Sequence, residues 1–194
     1  MNLTRTDITQ ISNSIGLDYA RLMAFISVES GGKGFTDDGR LIIQFEPVWF
    51  HRYLTQFKIA HTFSSIVDST GHKQFIIEAN GIKIINGVQG QQSEWAAFNS
   101  AFAIHPQSAL LSTSIGLPQL MGFNYNPAGF RSVGEMWDEF KKGEYEQVLA
   151  MANFIKSNNK LYTAIRNKDW KTAAVYYNGA GYAVNHYDER LASA

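Results

Sequence analysis

The sequence predicts an α+β fold, helical toward both ends with strands in the middle. Three observations predict it: helical periodicity at both ends of the chain, a Gly-, Asn- and β-branched-rich middle that interrupts it, and turn signals around short alternating runs in that middle. One domain is expected over 1–194, because 194 residues suffice for one core without disulfides or a structural metal.

The first clear helix is placed from Asp18, a good N-cap, with Leu22, Phe25, Ile26 and Glu29 at helical spacing and Gly31 and Gly32 as its stop. Asp38-Gly39 signals a tight turn. Leu41, Ile43 and Phe45 then alternate with Ile42, Gln44 and Glu46 as a strand requires, and Pro47 closes it. Residues 74–86 read as a hairpin, since Asn80-Gly81 takes the positive φ angles of a two-residue turn. Helices return from Glu94, where Trp95, Phe98 and Phe102 form a stripe read as core. Pro106 suits a first helical turn, and Ser132 with Glu135 suggests a capping box on a helix ended by Gly143. Tyr145, Val148, Leu149, Ala152 and Ile155 mark the next helix, and Asp169 caps one running into YYNGAGY.

Composition removes several functions. Without cysteine there is no disulfide scaffold, thiolate zinc site, iron–sulfur cluster or cysteine nucleophile. Seventeen Lys and Arg balance seventeen Asp and Glu, which argues against an electrostatic grip on nucleic acid. His51, His61, His72, His105 and His186 show no metal-ligand spacing and read as surface or packing residues, so no metal and no cofactor is expected. No phosphate loop and no serine-hydrolase elbow is present.

Carboxylates are left to carry chemistry. Glu29 shares a helix face with Leu22, Phe25 and Ile26, and both partial burial and the carbonyl end of a helix would raise its pKa, as a general acid requires. Spacing alone leaves open that Glu29 turns outward or bonds a nearby amide. Glu46 lies with Gln44 on the face opposite Leu41, Ile43 and Phe45, which is either a cleft wall or a solvated face. Two carboxylates flanking one bond are what glycoside hydrolysis uses. Segments 112–124 and 176–181 mix amides, hydroxyls, aromatics and glycine, a combination suited to sugars, although composition alone also allows plain turns.

The ordered blocks MAFISVESGGKGF, GRLIIQFEPVWF, STSIGLPQLMGFNY and DWKTAAVYYNGAGY resemble the N-acetylmuramidase family of bacteriophage endolysins and bacterial cell-wall hydrolases, within the lysozyme-like superfamily. The similarity runs from about residue 15 to the C-terminus. It implies a mostly helical lysozyme-like fold with a small β region beside the substrate cleft, and cleavage of the β-1,4 bond between N-acetylmuramic acid and N-acetylglucosamine in peptidoglycan. Glu29 matches the family's catalytic acid and Glu46 the glutamate of its F-E block. Gln119 matches the glutamine of the G-x-x-Q block, and Tyr177-Asn178-Gly179 the Y-N-G segment lining the cleft. Ile115 and Pro118 depart from the family's usual pattern, and the 74–86 hairpin is longer than usual.

The expectation is therefore a peptidoglycan muramidase. Glu29 donates a proton, Glu46 stabilises the cation or activates water, and Gln44, Ser114, Gln119, Asn124, Tyr177 and Asn178 hold the sugar chain. A lytic transglycosylase and a non-catalytic wall-binding module are the alternatives. The partner is the peptidoglycan glycan strand, with no nucleic acid and no membrane insertion, and the chain is expected to be a monomer. With no secretory signal read at the start, it is expected to be made in the cytoplasm and to reach the periplasm or cell wall through a holin or a secretion machine.

Overall fold

The computed structural model describes residues 3–29, 33–86, 90–179, 183 and 186–194, among which ten helices and six strands are found. Helix α1 (Arg5–Ser14) precedes the first helix read from sequence. Its signal is a capping box in which Thr4 and Asp7 satisfy each other's backbone N–H, with Ile8 and Ile11 buried below. Helix α2 (Tyr19–Val28) starts where expected, with the Asp18 carboxylate accepting from the Arg21 N–H at 2.9 Å. Glu29 is its C-cap; the expected glycine stop at 31 and 32 lies outside the described residues.

The Asp38-Gly39 turn forms as read, with Gly39 at φ 80° and the Thr36 N–H donating to the Arg40 carbonyl. Strand β1 (Ile43–Phe45) buries Ile43 and Phe45 and exposes Gln44. Pro47 does more than end it, for it opens helix α3 (Pro47–Gln56), where its missing N–H costs nothing. A second sheet contains β2 (Thr62–Val67), β3 (Lys73–Ala79) and β4 (Ile82–Asn86), all antiparallel. The predicted hairpin is β3–β4, with Asn80 at φ 53° and Gly81 at φ 76°. Its third strand, β2, is almost wholly exposed and so lacked the alternation that marks a half-buried strand.

Helices α4 (Gln91–Ile104) and α5 (Pro106–Leu111) lead to the short strands β5 (Thr113–Ile115) and β6 (Leu120–Met121), which complete the first sheet in the order β1-β5-β6. A 3-10 turn follows at Gly122–Asn124. The C-terminal part is α6 (Val133–Phe140), α7 (Glu144–Ser157), α8 (Asn159–Arg166), α9 (Trp170–Asn178) and α10 (Tyr187–Ser193). Helix α7 runs through the core, burying Val148, Met151, Ala152 and Ile155 completely.

Three local readings are corrected. Ser132 caps α6, but the Glu135 carboxylate accepts from the Arg131 N–H rather than closing the box on Ser132. Gly143 is the N-cap of α7, because α6 has already ended at Phe140. In the Trp95, Phe98, Phe102 stripe, Phe98 is buried while Phe102 is 42% exposed, since the buried face of α4 runs through Ala97, Phe98, Ala101 and Ile104 and leaves Phe102 outside it.

Candidate active site

Several pieces of chain converge on one open cleft of about 1260 Å³, among them the end of α2, strand β1, the β5–β6 turn with the 3-10 turn behind it, the end of α9, and α10. All eight residues singled out from sequence line it, namely Glu29, Gln44, Glu46, Ser114, Gln119, Asn124, Tyr177 and Asn178.

Glu29 is held at the cleft by its own backbone and by three aromatic rings. Its N–H donates to the Phe25 carbonyl at 3.1 Å, which fixes it as the last residue the helix controls. Tyr177 packs its ring on Phe25 at 4.8 Å and stacks on Tyr187 at 6.3 Å, so the space beside the carboxylate is largely apolar. Loss of water there disfavours the charged form and pushes the Glu29 pKa from its ordinary 4.5 up to about 7, despite a hydrogen bond from the Tyr187 hydroxyl and the charge of Arg190, which both pull it down. Arg190 is itself anchored on the Val28 carbonyl.

Glu46 and Gln44 do share a face, as strand alternation requires, and the Gln44 Nε2 donates to the Glu46 Oε1 at 2.8 Å. Burial raises the Glu46 pKa, and the neighbouring charge of Glu94 raises it further. Among the described residues the cleft thus contains three carboxyl groups that keep their protons to higher pH than in water: Glu29 on a helix end, Glu46 just past a strand, and Glu94 in the first turn of α4, which burial also pushes up.

The β5–β6 turn is built around Gln119, which sits at φ 46°. Its amide donates to the Gly116 carbonyl at 2.7 Å and its Oε1 accepts from the Ser114 hydroxyl at 3.1 Å. Ser114 lies directly across the sheet from Gln44. Gln119 therefore holds the wall in shape as well as lining it. Tyr177 likewise combines lining with bracing, because its hydroxyl donates to the Pro118 carbonyl at 3.1 Å and so ties α9 to the same turn. Asn124 and Asn178 stand at the cleft on the 3-10 turn and at the last residue of α9.

Sequence reading missed Tyr187, Arg190, Glu94, Lys73 and Phe75, which also line the cleft. Tyr187 and Arg190 belong to a short terminal helix with no motif, and Glu94 looked only like a helix start. Among the described residues no group of three or more metal-ligating side chains occurs.

Residues 18–194 match the family model described as Muramidase, N-acetylmuramidase. The crystal structure of the Burkholderia AP3 phage endolysin superposes with a TM-score of 0.78 at 32% sequence identity, over 98% of this chain and 68% of that one. No curated protein sequence matches the chain.

Proposed function

The chain belongs to the N-acetylmuramidase family of peptidoglycan hydrolases, and from that premise we propose that it cleaves the β-1,4 bond between N-acetylmuramic acid and N-acetylglucosamine with Glu29 as general acid. The observation that carries this reading is a half-buried carboxyl group at the cleft that keeps its proton up to about pH 7. Such a group can protonate the glycosidic oxygen near neutrality while positive charge develops on the sugar ring. Glu46 stabilises that charge or activates the water that completes hydrolysis. Gln44, Ser114, Gln119, Asn124, Tyr177 and Asn178 hold the glycan strand along the cleft they line.

In this reading the protein serves as an endolysin, as the AP3 protein is named, and works as a monomer on the wall after release through a holin or a secretion machine. Among the described residues no helix is long and apolar enough to cross a membrane. The test is mass spectrometry of purified peptidoglycan digested with the wild-type protein and with Glu29→Gln. Reducing muramic acid ends from the wild type and none from the variant are expected. Wild-type turnover by Glu29→Gln would overturn the assignment. Anhydromuramic ends would make the protein a lytic transglycosylase, and sedimentation with walls without sugar release a binding module.

A further inference from the structure

The outer edge of β1 is closed in an unusual way. Among the described residues β1 pairs only with β5 in its sheet, so the N–H and C=O groups of Ile43 and Phe45 face away from that one partner strand. An edge of this kind must find other partners or lose stability. Side chains take all four groups. Gln91 accepts from the Ile43 N–H at 2.9 Å and donates to the Ile43 carbonyl at 2.8 Å. Glu94 Oε2 accepts from the Phe45 N–H at 2.8 Å, and Asn86 Nδ2 donates to the Phe45 carbonyl at 3.1 Å. Gln91 and Glu94 come from the first turn of α4, three residues apart and so on one face, while Asn86 ends β4.

We propose that Asn86, Gln91 and Glu94 form a side-chain clamp in place of a further strand, and that Glu94 within it is a positioning residue for Glu46 in glycan cleavage. The inference rests on the reading of Glu46 given above. Residues 43 and 45 are fixed on this edge, so Gln44 and Glu46, which alternate with them, are fixed toward the cleft. Gln91 shows that a neutral amide can hold the strand edge. At position 94 the chain instead carries a carboxylate, half-buried and lining the same cleft. Its charge acts on Glu46, so the clamp both places that group and favours its protonated form. Among the described residues the other charged groups on the cleft are Glu29 at the end of α2, Lys73 from β3 and Arg190 from α10.

The test compares rate–pH profiles of the whole chain on solubilised peptidoglycan fragments for wild type, Glu94→Gln, Glu94→Ala and Glu29→Gln, with thermal melts alongside. Glu94→Gln keeps an acceptor for the Phe45 N–H and removes the charge. It should melt near the wild type and move the acid limb of the profile to lower pH, because the ionised form of Glu46 then persists further. Glu94→Ala loses the anchor as well, and kcat should fall about tenfold or more with less change in KM, the scale on which small misplacements of a reacting group act. An acid limb unmoved in Glu94→Gln overturns the proposal whether or not Glu94→Ala folds, and so does wild-type kcat in a folded Glu94→Ala. Wild-type turnover by Glu29→Gln would instead remove the functional reading itself.

Discussion

The Tyr187 hydroxyl donates a hydrogen bond to the Glu29 carboxylate from 158 residues further along the chain. The same tyrosine does two opposed things. Its ring, stacked on Tyr177, helps exclude water and so favours the protonated acid, while its hydroxyl favours the carboxylate. Burial is the larger effect, and Glu29 ends near 7 rather than near 4.5.

Replacing Tyr187 by Phe separates these effects. The ring stays and the hydrogen bond goes, so the Glu29 pKa should rise above about 7. In a rate–pH profile the alkaline limb, set by loss of the acid's proton, should move to higher pH with activity retained at pH 6. A limb that stays in place or moves down would show that the hydroxyl does not tune the acid.

Glu29 should also leave a mark on stability. Its folded-state pKa lies above the unfolded value, so the folded protein binds more protons than the unfolded chain between about 4.5 and about 7. Stability should therefore fall as pH rises through that window and level off above it. Glu29→Gln cannot ionise and escapes this loss. Relative to wild type it should gain with pH, by up to roughly 3 kcal/mol at pH 8. Urea melts at pH 4 and pH 8 check it, and a gap that fails to widen would contradict the burial argument.

The sequence made the proposed acid a candidate because helical spacing put Glu29 in line with Leu22, Phe25 and Ile26, and all three are buried as the spacing implied. Strand alternation likewise placed Gln44 and Glu46 on one face, and Asn80-Gly81 placed the hairpin. The partners of these groups were not legible. Tyr187 meets Glu29, and Glu94 meets Phe45, only after distant segments have packed, and neither contact leaves a local period. Pro47 misled for a related reason, since one residue that cannot continue a strand is also suited to begin a helix. Exposed β2 lacked the half-buried pattern from which strands are read.

Gln147 should prove a stability centre for the cleft wall. It is fully buried on α7, accepts from the Leu117 N–H at 2.8 Å and donates to the Phe140 carbonyl at 2.9 Å. Gln147→Met keeps the size and strands both backbone groups in a dry interior. A loss of about 1–3 kcal/mol is expected in denaturant melts, with weaker activity because the 116–119 turn holds Gln119. Wild-type stability would mean that the turn is held by its other contacts.

Gly122 should tolerate a side chain poorly. A methyl group there would lie 2.0 Å from the Leu110 carbonyl oxygen and 3.1 Å from the Leu111 Cα, and both are backbone of a packed helix that has no rotamer to change. Gly39 offers the control: it has positive φ, at 80°, but nothing within 4 Å of the added carbon. Gly39→Ala should cost about 1 kcal/mol from backbone strain alone. Gly122→Ala must displace either α5 or the turn leading to Asn124, and should cost at least twice as much, of order 3 kcal/mol. Since that turn also lines the cleft, the variant should lose glycan cleavage at temperatures where it is still folded. Equal melting of the two variants would show that α5 and the 3-10 turn can separate freely, and that the wall behind Asn124 is not set by this contact.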